Sequence, residues 1–263
     1  MLQIEPISGA LGAIVRGADL ALADAGLASE IRKILDEHLV VYLPDQDLDR
    51  FHLSALGGMF GPHFLHPLVS NGYSDCPEVL ELRREPEEVE MFGGASWHAD
   101  VTWLKPSGYL SFLHAKEVPA VGGDTAFAST ITCFEQLSSG LQGVLRNLNA
   151  IHSYYGAGNE EDDRYLAVQP VVRRHEFTGR EGLYINRMFT TRFEGMSEAE
   201  SRPLLNYLWA QMERHEHTCR FRWSASGVII WDNRFTLHFP INDFSGERRV
   251  MIRTTVLESS ELQ

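Results

Sequence analysis

The sequence predicts a mainly β fold with flanking helices, and three observations point there. Short apolar runs broken by Gly and Pro fill residues 78–131 and return at 227–257, the signature of strands. Two stretches, 24–38 and 197–214, carry apolar residues at helical spacing instead. No repeat, low-complexity tract or Ser/Gly linker separates them, so residues 1–263 read as a single domain with a β-core and helical cladding.

In chain order, DAGLASEIRKILDEH at 24–38 places Leu27, Ile31, Ile34 and Leu35 on one helix face. Leu39–Leu43 reads as a strand stopped at Pro44-Asp45, and a short helix follows from Asp49 to about Met59, before Gly61-Pro62 breaks it. Strands are expected at Val79–Leu82, Tyr109–Ala115 and Thr125–Ala128. Residues 134–148 read as one helix. Residues 197–214 read as another, opened by the capping box Ser197-Glu198-Ala199-Glu200 and burying Leu204, Leu205, Leu208, Trp209 and Met212. Gly227–Trp231 and Arg249–Leu257 return to strand. The acidic run Glu160-Glu161-Asp162-Asp163 reads as a solvated loop, with a lid over a site as the alternative.

Hydrophobic residues at 44% and charged residues at 22% are ordinary for a globular chain with a real core. A net charge of -13 argues against a nucleic-acid partner, whose phosphates want clustered Lys and Arg. It leaves room for a small anion, because a few arginines inside a pocket set the local potential. Cys76, Cys133 and Cys219 are odd in number and show no CxxC spacing, so no disulfide framework or zinc ribbon is expected, and a reducing cytoplasm fits. The N-terminal residues lack a basic, then apolar leader, and no apolar run nears the roughly 20 residues of a membrane span. A cytoplasmic protein without a membrane partner is expected. Its oligomeric state is open, with a symmetric homo-oligomer compatible with the composition.

The chemistry concentrates in two segments. In Ser96-Trp97-His98-Ala99-Asp100-Val101-Thr102-Trp103, His98 and Asp100 stand two apart, and in extended chain they point to the same side. A second histidine would complete the two-His, one-carboxylate face that suits non-haem Fe(II). His238 is the best candidate, because Gly227–Trp231 is a convincing strand and Asp232-Asn233-Arg234 a turn expected to return the chain beside it. The run from His238 to Arg253 would put this histidine and spaced arginines on one hairpin, with Arg249, Met251 and Arg253 on one strand face. Two guanidinium groups sharing that space call for an anion between them. The competing reading pairs Arg248, Arg249 and Arg253 with surface acids. Trp97, Trp103, Phe112 and Trp231 either shape the pocket or pack the core, and core is the default. His215 and His217 read as exposed polar positions rather than ligands.

The ordered pieces Leu11 to Leu20, Trp97-His98-Ala99-Asp100, Gly122-Gly123-Asp124-Thr125, Gly182-Leu183-Tyr184-Ile185-Asn186, Trp231-Asp232-Asn233 and His238 to Arg253 resemble the taurine dioxygenase (TauD/TfdA) family over nearly the whole chain. The resemblance implies a double-stranded β-helix, or jelly roll. It also implies Fe(II), 2-oxoglutarate as co-substrate and O2. His98, Asp100 and His238 match the iron ligands, Arg249 and Thr125 the anchor of the distal carboxylate of 2-oxoglutarate, and Arg253 an arginine holding co-substrate or acidic substrate. His66 and Val101 match substrate-pocket positions. Between His63 and His66 the alignment is open, and His66 is the choice.

Taurine-specific enzymes carry asparagine where this chain has Gly94, which counts against taurine. Tyr184-Ile185-Asn186, Glu194-Gly195-Met196-Ser197 and Thr218 to Trp223 look closest to the branch acting on phenoxypropionate and phenoxyacetate. The expected activity is therefore hydroxylation of a small anionic aryloxyalkanoate, with ether cleavage following. Sulfonate or alkyl sulfate oxidation, or tailoring of a carboxylate metabolite, is the alternative. Asp100 retains the carboxylate that related halogenases have lost, which favours hydroxylation over halogenation. Two readings lie outside this class: zinc hydrolysis with the same ligands, against which the arginine pair speaks, and a non-catalytic binding protein on the same scaffold.

Overall fold

The computed structural model describes residues 2–69, 71–89, 96–155 and 163–258. Gly94 and residues 160–162 of the acidic run lie outside the described residues. From the N-terminus run β1 (Gln3–Pro6), β2 (Ala13–Arg16), α1 (Ala25–His38), β3 (Val40–Leu43), α2 (Arg50–Gly58), β4 (Gly72–Tyr73) and β5 (Cys76–Arg84). Then come β6 (Gly108–Glu117), β7 (Thr125–Ser129), α3 (Thr130–Gln136), α4 (Ser139–Leu145), β8 (Asn149–Ser153), β9 (Leu166–Pro170), β10 (Val172–Arg174) and β11 (Glu181–Leu183). The rest is β12 (Thr190–Phe193), α5 (Glu198–Met212), β13 (Thr218–Phe221), β14 (Val228–Asp232), β15 (Thr236–Pro240) and β16 (Arg249–Leu257).

An eight-stranded sheet in the order β1-β2-β3-β14-β6-β16-β5-β4 faces a three-stranded sheet, β13-β7-β15. Alternation along the central strands explains the pairing of layers, because successive side chains leave opposite faces. Phe112, Val228, Ile230 and Ile252 join Ile31, Ile34 and Leu35 of α1 and Leu53 and Leu56 of α2 in one core. Leu113, Ile229, Trp231 and Met251 point the other way, onto Phe127 of β7 and Phe221 of β13. Both faces of β14 are thus buried, and each fully buried Ile or Val there contributes ~1.5–3 kcal/mol. This is the jelly roll, with helices outside it.

The helices start where the sequence caps them. Asp24 accepts from the Leu27 amide, Asp49 from that of His52, and Ser197 forms the expected reciprocal box with Glu200. In place of the single helix expected at 134–148 there are two, α3 and α4. Leu137 turns extended and Ser138 caps a new start by accepting from the Leu141 amide. A further correction concerns β14 and β15, which do not form a hairpin. The turn Asp232-Asn233-Arg234 carries the chain from the large sheet to the small one, where β15 pairs with β7, while β16 pairs with β5 and β6. His238 and the arginines of β16 therefore face each other from opposite sheets, which a hairpin would have prevented.

No helix among the described residues is long and apolar enough to cross a membrane. All three cysteines are free and buried. His215 is exposed as expected, but His217 is buried, its ring nitrogens bonded to the Gln211 carbonyl (2.7 Å) and Gln136 Oε1 (3.1 Å).

Candidate metal centre

His98 and His238 meet through their backbones. The His238 amide donates to the His98 carbonyl at 2.7 Å, and the His98 amide donates back at 3.1 Å, an isolated antiparallel bridge. Asp100 arrives differently from the expected extended HxD. Only His98 is bridged, Asp100 is already in a turn, and Val101 takes φ +60°. Such a backbone is costly for a β-branched residue and persists only where surroundings impose it. Close approach helps impose it: a Cβ at Gly108 would stand 2.6 Å from the Asp100 carbonyl.

His98 Nε2 and His238 Nε2 each lie 3.9 Å from Asp100 Oδ1, and the three ligand atoms fall within 4.8 Å of one another. These separations are short enough that small side-chain adjustments would let one divalent ion with ~2 Å bonds reach all three donors. The nitrogens are prepared for it. His98 Nδ1 sits 2.9 Å from the Ser96 carbonyl, and a proton there leaves Nε2 with the free lone pair. Burial, with each other's proximity for His238, pushes both imidazoles below their ordinary pKa and keeps them neutral. Burial opposes ionisation of Asp100, yet the Arg253 guanidinium, helped by the Ser111 hydrogen bond, holds its carboxyl well below the usual carboxylate range. The residues fit a divalent metal with open positions.

A buried polar network holds Asp100. Its Oδ2 accepts from Ser111 Oγ (2.7 Å), and its Oδ1 from Arg253 Nη1 (3.1 Å). Asn233 binds the loop from the other side. Its Oδ1 accepts from the Asp100 amide (3.0 Å) and from Trp231 Nε1 (2.9 Å), while its Nδ2 donates to Ser111 Oγ (2.9 Å). These bonds give the Trp231-Asp232-Asn233 motif its physical meaning.

Two cavities meet at this centre. The first lies between the sheets, lined by Leu82, Arg84, Thr125, Trp231, Arg249 and Arg253 together with both histidines. Arg249 is buried with no hydrogen-bond partner for Nε among the described residues, and burial pulls its pKa down to about 10 against the pull of Asp124. Trp223 Nε1 donates to Thr125 Oγ1 at 3.1 Å, which leaves that hydroxyl proton free for another acceptor. The glycine pair aims Thr125. At Gly122, φ is +84°, and an added Cβ would strike Asp243 Oδ1 at 2.6 Å. Arg248, by contrast, turns outward to Glu85 and Glu117, so the surface-pairing reading holds for it alone.

The second cavity, of 330 Å³, is lined by His66, Val101, Trp103, Tyr154, Phe189 and Arg253, among others. His66 packs 5.9 Å from the rings of both Trp103 and Tyr154. His63 instead lies against Thr254, 3.2 Å from its hydroxyl. Burial and Arg253 lower the His66 pKa, so it stands neutral. Of the four aromatics near the ligands, Trp103 and Trp231 line cavities, Phe112 is core, and Trp97 packs on Phe239. Sequence reasoning missed Arg84, Ser111, Tyr154 and Phe189. Arg84 alone left a signal: a charge on the strand face that carries Leu80 and Leu82.

A jelly roll with a buried His-Asp-His face and an adjoining arginine-lined cavity defines a non-haem iron oxygenase with a dicarboxylate co-substrate. Residues 3–255 match the "Taurine catabolism dioxygenase TauD, TfdA family", and the chain belongs to that family of Fe(II)- and 2-oxoglutarate-dependent dioxygenases. It is 31% identical to an "Alpha-ketoglutarate-dependent sulfate ester dioxygenase" of Pseudomonas putida, covering 97% of this chain and 89% of that one. It is 30% identical to the "(S)-phenoxypropionate/alpha-ketoglutarate-dioxygenase" of Sphingobium herbicidovorans, covering 95% and 92%. A solved structure, a "Putative Alpha-ketoglutarate-dependent Taurine Dioxygenase from Burkholderia xenovorans", superimposes with TM-score 0.86 at 30% identity, covering 98% and 90%. The sulfate ester and phenoxypropionate relatives are equally similar, so likeness does not single out the aryloxyalkanoate branch.

Proposed function

We propose that this dioxygenase hydroxylates a small aryloxyalkanoate carboxylate at the carbon bearing the ether oxygen, with His98, Asp100 and His238 as the iron ligands. The carrying observation is the second cavity: Arg253 stands at its metal end, and Trp103, Tyr154, Phe189 and His66 wall the remainder. A carboxylate takes the guanidinium, and an aryl group takes the rings, which prefer tilted or offset contacts. Its 330 Å³ suits a single-ring acid.

Bound Fe(II) and 2-oxoglutarate supply the oxidation, O2 giving one oxygen to succinate and one to the substrate hydroxyl, with release of CO2. Arg249 and Thr125 hold the distal carboxylate of the co-substrate and so set its orientation at the metal. Arg253, braced on Asp100, fixes the substrate acid. The aromatic wall excludes water and presents one C–H to the metal. A hydroxyl on the ether carbon yields a hemiketal or hemiacetal, whose collapse breaks the C–O bond and releases a phenol and a 2-oxo acid. No hydrolytic residue is required.

A second reading has its own support, the sulfate ester relative at 31% identity, since a sulfate also suits Arg253. Succinate, phenol and inorganic sulfate release are measured on iron-loaded protein given aryloxyalkanoates, alkyl sulfates and alkylsulfonates. Phenol release coupled one-to-one to succinate is the expected result. Sulfate release with no phenol transfers the assignment to sulfate esters, and succinate formation indifferent to every substrate overturns both readings.

A further inference from the structure

β5 and β16 run antiparallel with Arg84 directly opposite Arg249. Both are 6% exposed. Along β5, Leu80, Leu82 and Arg84 share a face, so the guanidinium follows the leucines into the space between the sheets, whereas Arg83 turns out to Glu81. Like charges directly opposed on a ladder repel, and burial removes the water that would screen them. The contacts Arg84 does make are neutral. Its Nε donates to the Glu88 carbonyl at 2.9 Å, and its guanidinium lies 4.3 Å from the centre of the Phe244 ring. Arg84 Nη1 and Arg249 Nε are both buried without a partner among the described residues, and both side chains line the first cavity with Thr125.

We propose that Arg84 is a second guanidinium anchor for the metal-distal carboxylate of 2-oxoglutarate, acting opposite Arg249 so that the carboxylate lies between two cations. The inference rests on the reading of that cavity as the co-substrate site and is independent of the substrate class. Charge balance supports it. Arg253 already has a counter-charge in Asp100, whereas Arg84 and Arg249 share no carboxylate of the chain within ion-pair distance among the described residues. An anion entering between them satisfies both orphaned donors and relieves their mutual repulsion.

Calorimetric titration of Mn(II)-loaded protein under nitrogen tests this with 2-oxoglutarate, succinate and oxalate. Oxalate chelates a metal but has no distal carboxylate. Arg84→Leu is expected to weaken 2-oxoglutarate and succinate by about tenfold or more, while oxalate stays within about twofold. Arg84→Lys, which keeps the charge and loses the fork, should fall between, and carries the test should Arg84→Leu fail to fold. Unchanged 2-oxoglutarate affinity in the variant, or an equal loss for oxalate, overturns the proposal, the latter by showing that Arg84 only supports the fold around the metal. Arg249→Leu separates the two levels. If it too leaves 2-oxoglutarate binding intact, the cavity is misassigned altogether.

Discussion

Replacing Ser111 with Ala removes one oxygen from a fully buried position, and the structure fixes what is lost. Ser111 Oγ donates to Asp100 Oδ2 at 2.7 Å, accepts from Asn233 Nδ2 at 2.9 Å and lies 3.0 Å from Thr255 Oγ1. A hydrogen bond to a charged group is worth ~1.5–3 kcal/mol, and an orphaned buried donor costs ~1–3 kcal/mol. These terms overlap, so a loss of ~3 kcal/mol is expected, which at ~2–4 °C per kcal/mol lowers Tm by ~6–12 °C. The metal should feel it too, since groups orienting a ligand alter affinity by ~10–100-fold. Thermal unfolding of metal-free protein reads the first effect, and competition with a coloured chelator the second. Thr255→Val, which reaches Asp100 only through Ser111, should cost ~1 kcal/mol. A Ser111→Ala protein that melts within ~2 °C of the parent and holds metal equally well would refute the network as the support of Asp100.

His98→Ala should abolish both metal binding and iron-dependent succinate formation, measured by elemental analysis and by product assay. Arg253→Ala should raise substrate KM by ~10–100-fold. It should also weaken metal binding through the lost 3.1 Å bond to Asp100, so chelator competition alongside kinetics detects both. The proposed anchoring of 2-oxoglutarate by Arg249 requires its charge, and burial has pulled its pKa down to about 10. Affinity for 2-oxoglutarate should therefore hold level through neutral pH and fall as pH passes that value, where an arginine in water would stay charged to beyond ~12. Burial pushes the Cys76 thiol up to about 11, and those of Cys133 and Cys219 up to about 12. Native protein at mildly alkaline pH should resist thiol reagents, and label at all three positions once denatured.

The parts of the site written in contiguous motifs were readable before the structure. His98, Asp100, Thr125, Arg249 and Arg253 all line one pair of cavities; the strand spacing pointed to Arg249 and Arg253, the family motifs pointed to Thr125, and Asp100 arrives through a turn rather than the expected extended run. Helix starts were equally plain where Asp24, Asp49 and Ser197 supply a side-chain acceptor. What stayed hidden was the partner of each strand. β14 and β15 sit three residues apart, yet they belong to different sheets, because buried Asn233 and the ion pair of Arg234 with Asp232 redirect the chain between them. Those residues are legible as a turn, but which sheet receives the strand beyond it depends on β7, far away in sequence. The same holds for Ser111 and Tyr154, whose significance comes from neighbours far away in sequence; the α3–α4 break is different, a local capping serine outweighing helical periodicity.

The backbone bridge between His98 and His238 has a consequence for how the protein is made. The two residues stand 140 positions apart, and at ~5–20 residues per second the ribosome needs ~7–28 s to reach the second after the first. Until β15 emerges and closes on residue 98, the nascent chain holds a histidine and an aspartate but no iron site, and Arg249 and Arg253 follow later still. The full ligand set therefore exists only once residue 238 has been made and has paired with residue 98. A chain interrupted before β15 would carry His98 and Asp100 without the second histidine that completes the set.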